Sequence, residues 1–391
     1  MEKINIAFYS DTYLPAMDGV VNSMLNFKKE LERRGHKVYI FTSGDKLSKR
    51  RYSQKRVFIT TGIKFKPYPQ YKIALFPYKS IMNLRDLKID VVHVQTPFSM
   101  GLAGMTIAKL GKYPLVGSFH TMVNDKRIIE SYYPKNKTLQ KFTSKYLWQY
   151  IQFFYRRCDA TIVPTDAIDK FIKKSGVQNV HIVPNSIDTR TFNPKVNGSA
   201  LRRKLRIKKN EKMVLYIGRT SKEKRIEILL QAAKQILKKR KDVKFVIGGT
   251  GPAFDYYKNM ANKLGLGGNI KFVGFVDQAV LPKMYAACDV FCIPSTFETQ
   301  GIVALEAMAS GKPVVGANYL ALKELIKDGK NGEKFKPGDY ISCAQKIERV
   351  LNNSDKYKYR AVETAKSFAI DKATDKLLEV YQLIINNNNT R

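Results

Sequence analysis

The chain has 391 residues, 44% of them hydrophobic and 26% charged, enough for two ordinary domains each with its own core. That balance excludes a disordered or fibrous chain, and no run of eighteen or more apolar residues offers a membrane-spanning helix. The formal net charge of +36 favours anionic partners: nucleic acid, an acidic bilayer surface or a phosphorylated substrate.

In chain order, "INIAFYS" from Ile4 is strand-like, with neither a basic leader nor a small-residue cleavage site before it. A secretory signal is therefore not expected, and a cytosolic location follows by default. "VVNSMLNFKKELERRGH" carries Val21, Met24, Leu25 and Leu31 at helical spacing and stops at Gly35. "KVYIFTS" is the next strand. The segment after it, "DKLSKRRYSQKR", puts six cations into twelve residues, with Lys49, Arg50 and Arg51 at its centre. It reads equally as a solvated loop and as a contact for a membrane or another anion.

Then come "VVHVQT", a helix around Leu102 to Leu110, "PLVGSFH", a long helix before Cys158, "ATIVPT" and "VHIVPNSID". The long helix, "NKTLQKFTSKYLWQYIQFFYRR", sets Leu139, Phe142, Tyr146, Tyr150 and Phe153 on one stripe. Trp148, Leu147 and Phe154 lie off that stripe, and Lys137, Lys141, Lys145, Arg156 and Arg157 punctuate it. Such a helix either packs on the first sheet or rests on a bilayer, cations toward headgroups and aromatic rings at the interface.

After "NPKVNGSALRRKLRIKKNE" the rhythm restarts with "MVLYIG", "KRIEILLQAAKQILKKR", "VKFVIGG", a helix, "IKFVGFV" and "VFCIPS". "RRCDATIVPT" in the first half and "AACDVFCIPS" in the second run alike from a helix end through Cys-Asp into a strand. Two doubly wound Rossmann-like α/β domains follow, over 1–190 and 191–365, with the ligand expected between carboxyl ends of their strands. Residues 366–391 form an amphipathic helix expected to pack back toward the first domain, with "NNNNTR" a frayed tail. Cys158, Cys288, Cys292 and Cys343 fit no zinc, redox or disulfide pattern and read as small core hydrophobes.

The chemistry concentrates in "STFETQGIVALEAMASGKPVVG", Ser295 to Gly316. A helix should begin at Gly301 and stop at Gly311 and Pro313, with Glu298 before it and Glu306 in its second turn. A helix N-terminus with glycine seats a phosphate, while flanking carboxylates accept from hydroxyl groups. One diphosphate between two polyols describes a nucleotide sugar; the plainer reading is a solvated loop acid and a polar residue on a buried helix. "YIGRTSKEKRIEILLQA" ends a strand at Gly218 and supplies Arg219 and Lys224, two cations suited to a diphosphate leaving group without metal. No Asp-x-Asp pair stands beside them. "VIGGTGP" is a glycine turn that is at least as well explained by structure alone.

With these pieces in the order "YLPAMDGVVNSMLNFKKELERRGHKVYIFTS", "VPNSID", "GRTSKEK", "VIGGTGP" and Glu-x7-Glu, the sequence resembles a family-4 retaining glycosyltransferase of the GT-B fold. The resemblance implies that Glu306 holds the donor ribose and Glu298 sugar hydroxyls, along the run Thr299, Gln300, Gly301 and Ile302. Arg219 and Lys224 would hold the diphosphate, helped by backbone N–H groups of Gly301 and Gly19, with main chain at Gly274 and Phe275 on the base. His120, in "GSFHT", would lie beside the anomeric carbon; read alone, it is more often a satisfied structural histidine. Asp18 stands where the family often has a first glycine, and Arg225 where it often has Asn or Gly. No cofactor or metal is implied, the nucleotide sugar being a co-substrate, and the route is front-face attack with no carboxylate nucleophile.

"TETQGIVALEAMA", "DVVHVQTPFSMGLAG", "VGSFHT" and "YPQYKIALFP" look most like the branch that glucosylates diacylglycerol or related lipids. Lys49, Arg50, Arg51, Lys141, Lys145 and Trp148 are then the expected membrane or acceptor contacts of an enzyme peripheral at the inner face of the cell membrane. A transferase using GDP-mannose or a UDP-hexose on phosphoinositide, polyprenyl-linked or soluble acceptors is the alternative. A nucleotide-sugar epimerase and a nucleic-acid binder remain as other classes, though no nucleic-acid motif occurs and no such partner is expected.

Overall fold

A computed structural model of the chain describes residues 2–16, 18–53, 55–64, 72–74, 86–120 and 137–389. They form two units, Met1–Ser186 together with Ile370–Arg391, and Ile187–Ala369. The sequence had put these boundaries at 190/191 and 365/366.

The first unit contains β1 (Asn5–Ser10), α1 (Gly19–Arg33), β2 (Lys37–Gly44), α2 (Lys46–Tyr52), β3 (Val57–Lys64), β4 (Lys72–Ala74), β5 (Val91–Val94), α3 (Ser99–Gly111), β6 (Leu115–Ser118), α4 (Lys137–Tyr155), β7 (Ala160–Val163), α5 (Asp166–Lys174) and β8 (Val180–Ile182). Its sheet runs β4-β3-β2-β1-β5-β6-β7-β8, parallel except for the antiparallel edge pair β3–β4. Ala7 and Tyr9 of β1 face one core and Ile6 and Phe8 the other, so the strand is apolar throughout, as a strand covered on both faces must be.

The second unit contains α6 (Ser199–Lys204), β9 (Lys212–Ile217), a 3₁₀ turn (Lys222–Lys224), α7 (Ile226–Lys239), β10 (Val243–Gly248), α8 (Phe254–Lys263), β11 (Ile270–Gly274), α9 (Leu281–Ala287), β12 (Val290–Ile293), α10 (Ile302–Ala309), β13 (Val314–Ala317), α11 (Leu320–Leu325), β14 (Gly332–Phe335), α12 (Tyr340–Asn352) and α13 (Ser354–Lys366). Its sheet, β11-β10-β9-β12-β13-β14, is wholly parallel. Val214 and Tyr216 of β9 enter one core and Met213, Leu215 and Ile217 the other.

The chain then returns to the first unit as α14 (Ile370–Asn389). Ala373, Leu377, Leu378, Tyr381 and Ile384 of α14 join Ile6 and Phe8 of β1 and Met24, Phe27 and Leu31 of α1 in one core. Leu377 and Tyr381 are wholly buried, each large side chain contributing roughly 1.5–3 kcal/mol. Arg34 secures the contact by an ion pair to Asp375 at 2.5 Å.

Two sequence expectations change. The basic segment is not a loop, because Asp45 caps α2, its Oδ1 accepting from Ser48 N at 2.7 Å. The asparagine run does not fray at its start: α14 continues to Asn389, and Asn388 donates to the Lys112 carbonyl at 3.0 Å. All four cysteines are free and buried. Among the described residues no helix is long and apolar enough to cross a membrane.

Candidate active site

In each sheet the strand order reverses once near the centre, β1 lying between β2 and β5, and β9 between β10 and β12. Loops leaving adjacent carboxyl ends diverge there and open a crevice, the usual ligand position in such sheets.

In the second unit, Gly218, Arg219 and the turn to Lys224 leave β9, and the loop from Ser295 to Gly301 leaves β12. The two loops meet through Lys224 Nζ and Glu298 Oε1, 2.7 Å apart, with side chains only 21% and 13% exposed. Half-buried Arg219 lies on the same turn, and its carbonyl accepts from Tyr216 OH at 3.0 Å. Two residues assigned to different parts of the donor, Lys224 to phosphate and Glu298 to sugar, are therefore partners here, and a ligand must share or replace that contact.

α10 starts from Gly301, whose φ of 82° is a left-handed conformation natural to glycine, and no side chain caps the helix. Its first N–H groups have no intrahelical partner, which leaves an anion seat beside the cations. Thr299 and Gln300 lie on the approaching loop, with Gln300 buried. Glu306 is 5% exposed and accepts from Tyr285 OH at 2.7 Å. Burial pushes its carboxyl up to about 7, the Tyr285 bond pulling the other way. Gly274 ends β11 and Phe275 after it is 66% exposed. The "VIGGTGP" glycines have a structural reason: a Cβ at Gly249 would stand 1.8 Å from the Gly218 carbonyl oxygen.

Arg225 links the 3₁₀ turn to α7 at φ 53°, left-handed backbone that costs about 1–3 kcal/mol for a residue other than glycine. That conformation explains why Asn or Gly suits this position, and Arg225 holds it with an ion pair to Glu227 at 2.5 Å.

In the first unit, Gly19 opens α1, but Asp18 caps it, Oδ1 accepting from Val20 N and Val21 N, both at 2.9 Å. A phosphate beside Gly19 would meet that carboxylate at close range, which counts against the expected help from Gly19. His120 follows β6 and is half-buried, its Nε2 3.1 Å from Gln95 Oε1. Burial pushes the imidazole down to about 4, so the ring is neutral at pH 7 and acts as a hydrogen-bonding group, not a cation.

Three polar residues escaped the sequence reading. Tyr285 positions Glu306; Gln95 holds His120; and Asp11, at the end of β1, accepts from Ser99 Oγ at 2.5 Å and Met100 N at 2.8 Å, capping α3 across the fold. Their common signal is a polar side chain just after an apolar parallel strand or on a helix feeding one, which "FYSD" and "VHVQT" both display.

Of the expected membrane contacts, Lys49, Arg50 and Arg51 are exposed on α2, beside Leu47 at 78%. On α4, Lys145 is exposed with Phe142, Tyr146 and Phe153, and Phe142 stacks on Tyr146 with centroids 6.1 Å apart. The side chain of Lys141 lies outside the described residues. Trp148 is half-buried and packs on Phe171 at 5.0 Å, which makes it first a core contact.

Two Rossmann-like units with these loops at their switch points define a GT-B glycosyltransferase. Residues 17–191 match Glycosyltransferase Family 4 and residues 198–368 match Glycosyl transferases group 1. The chain belongs to glycosyltransferase family 4. It is 29% identical to alpha-monoglucosyldiacylglycerol synthase of Streptococcus pneumoniae over 98% of this chain and 87% of that one. It is 31% identical to the protein of the same name from Acholeplasma laidlawii over 86% of each. Among solved structures, Anabaena HepE in complex with UDP and glucose superposes with a TM-score of 0.75 at 21% identity, covering 97% of this chain and all of that one.

Proposed function

We propose that this chain transfers glucose from UDP-glucose, with retention, to a hydroxyl of a membrane glycerolipid such as diacylglycerol. Two relatives that match 98% and 86% of this chain support the acceptor part of this reading: both are named for a glucosyldiacylglycerol. The donor part rests on the largely buried Lys224–Glu298 ion pair, on the uncapped helix N-terminus that the Glu298 loop leads into, and on the buried carboxyl of Glu306 in that helix.

In this reading the acceptor oxygen bonds to the anomeric carbon as the bond from that carbon to the diphosphate breaks, on the same face. The acceptor's proton passes to the departing phosphate oxygen. Arg219, Lys224 and the first N–H groups of α10 take up the negative charge that develops there, so neither a metal nor a covalent intermediate is required. Glu306 accepts from ribose hydroxyls and Glu298 from those of the sugar. The enzyme sits peripherally at the inner face of the membrane, where the cations of α2 meet anionic headgroups and Phe142, Tyr146 and Phe153 reach the interface.

The test is transfer from UDP-glucose to liposomes containing diacylglycerol, with EDTA in parallel and the product anomer read by NMR. An α-glucosyl lipid formed at the same rate with chelator is expected. Soluble sugars serving as acceptors while lipids do not would overturn the lipid reading, and inhibition by EDTA the metal-free one. A thermal-shift series over UDP- and GDP-sugars names the base by the largest rise.

A further inference from the structure

At the amino ends of β12 and β13, away from the loops that form the candidate donor site, the second unit holds a cavity of ≈ 210 Å³. It is lined by Ser310 and Gly311, where α10 stops, and by Ser354 and Asp355, where α13 begins. α10 has eight residues, about 12 Å, so the anion seat at its start and this cavity at its end are separate places.

Three features of the cavity suit an anion. Ser310 is 3% exposed, and its hydroxyl has no hydrogen-bond partner among the described residues. A buried hydroxyl left bare is uncommon in a folded protein and needs a reason. Lys312 and Lys358 also line the cavity, and neither ammonium has an ion pair or hydrogen bond among the described residues. Lys358 is exposed and lies across Gly311, where a Cβ would stand 3.3 Å from its Cγ, so its head is free to turn toward a ligand. α13, with thirteen residues, has no side-chain cap at Asn353, and its first N–H groups have no intrahelical partner.

Two carboxylates share the lining. Asp289 is matched by Arg202 at 3.1 Å and accepts from Met213 N at 2.7 Å, which leaves both lysines unclaimed. Asp355 is exposed and has no cation within ion-pair distance among the described residues. The unmatched groups are therefore two cations and a helix N-terminus against one carboxylate.

We propose that this cavity binds the phosphate of a small phosphate ester: Lys312 and Lys358 meet its charge, the first N–H groups of α13 its oxygens, and Ser310 donates its unused hydroxyl. The ligand is distinct from the nucleotide sugar, whose loops leave the opposite ends of the strands.

The test is calorimetric titration of the full chain with inorganic phosphate and with glycerol 3-phosphate, in saturating UDP so that the donor cations are occupied. Titrating Lys224→Ala without UDP keeps the answer independent of the donor reading. One saturable phosphate per chain is expected. Lys312→Gln combined with Lys358→Gln should weaken it at least about tenfold, and Ser310→Ala about threefold or more. Ser310→Ala should not lower the melting temperature of the free protein, since the lost hydroxyl bonds to nothing, so weaker binding there cannot be put down to unfolding. Asp355→Asn should tighten phosphate about threefold by removing a like charge. Phosphatidylcholine vesicles with and without phosphatidic acid then read the source. Binding that falls in the double lysine variant assigns the phosphate to a headgroup, and binding equal to wild type assigns it to a soluble ester. No saturable phosphate on the wild type, or equal phosphate affinity in wild type and the double lysine variant, overturns the proposal.

Discussion

The two units share a plan and differ in material. Each is a sheet whose order reverses near its centre, and each gathers polar groups at the carboxyl ends beside that point. In the second unit the groups are formal charges on loops, Arg219, Lys224 and Glu298, left partly open to water. In the first they lie inside, Asp11, His93 and Gln95 being 3%, 0% and 1% exposed. A charge that keeps some water loses little when it trades a protein partner for a ligand, whereas a buried group holds one geometry because leaving it is costly. On the proposed reading, the second unit takes and releases charge while the first holds position.

The strongest way to break that contrast is Lys224→Ala. On the proposed reading it removes a cation from the departing diphosphate, and it leaves Glu298 without this partner, so kcat/KM for UDP-glucose should fall about 10²–10³-fold. Near-normal turnover would place the charge site elsewhere. Replacing Lys49, Arg50 and Arg51 with Gln should come next, lowering affinity for vesicles rich in anionic lipid by about a hundredfold at low salt, an effect that salt should shrink. UDP-glucose binding in solution should not change, and equal sedimentation of variant and wild type with vesicles would sink the membrane role of α2.

The same contrast decides what the sequence revealed. The second unit's candidate site was legible as a cluster because its charges stand within short motifs: Arg219 and Lys224 in one turn, Glu298 and Glu306 around one glycine. The alternation of strands and helices was legible too, since a sheet buried on both faces needs unbroken apolar runs such as "VVHV" and "MVLYI". The first unit's polar ladder was hidden, because its partners come from distant segments: His93 and Tyr381 are 288 residues apart. Asp11 looked like an ordinary turn residue, and only the arrival of Ser99 and Met100 makes it a cap. Asp45 was a local cap in plain view, but six cations around it suggested a loop.

Glu306 is where the second unit borrows the first unit's manner, and its titration sharpens the comparison. Burial raises its carboxyl from an ordinary 4.5 to about 7, so the folded chain prefers the protonated form. The stability this contributes is fully present below 4.5 and is lost as pH rises through 7. Glu306→Gln removes the penalty, and the free variant should exceed the wild type by on the order of 3 kcal/mol at pH 8 but not at pH 4. UDP-glucose, whose diphosphate does not titrate in this range, should bind the wild type more tightly as pH rises from 6 to 8, when the carboxylate can accept two ribose hydroxyls. The variant should show a flat profile; a sloping one would assign the dependence to another group.

The smallest expected effect tests the first unit alone. Tyr381→Phe keeps the ring of α14 in its core and deletes only the hydroxyl on His93 Nδ1. Burial, with His120 adding to it, pushes the His93 imidazole down to about 3, so the ring stays neutral and its nitrogens need neutral partners. An unpaired ring nitrogen in that place costs about 1–2 kcal/mol, a fall of a few degrees in melting temperature at pH 7. The sign with pH is fixed as well: a lowered imidazole contributes stability above its ordinary 6.5 that is lost as pH falls toward 3, so wild type and variant should both weaken in acid. If the geometry of β5 depends on Tyr381, hydrogen exchange at Val92 and Val94 should quicken in the variant along with that at α14. Faster exchange in α14 alone would mean that the helix is held by its apolar face and that His93 serves the sheet without it.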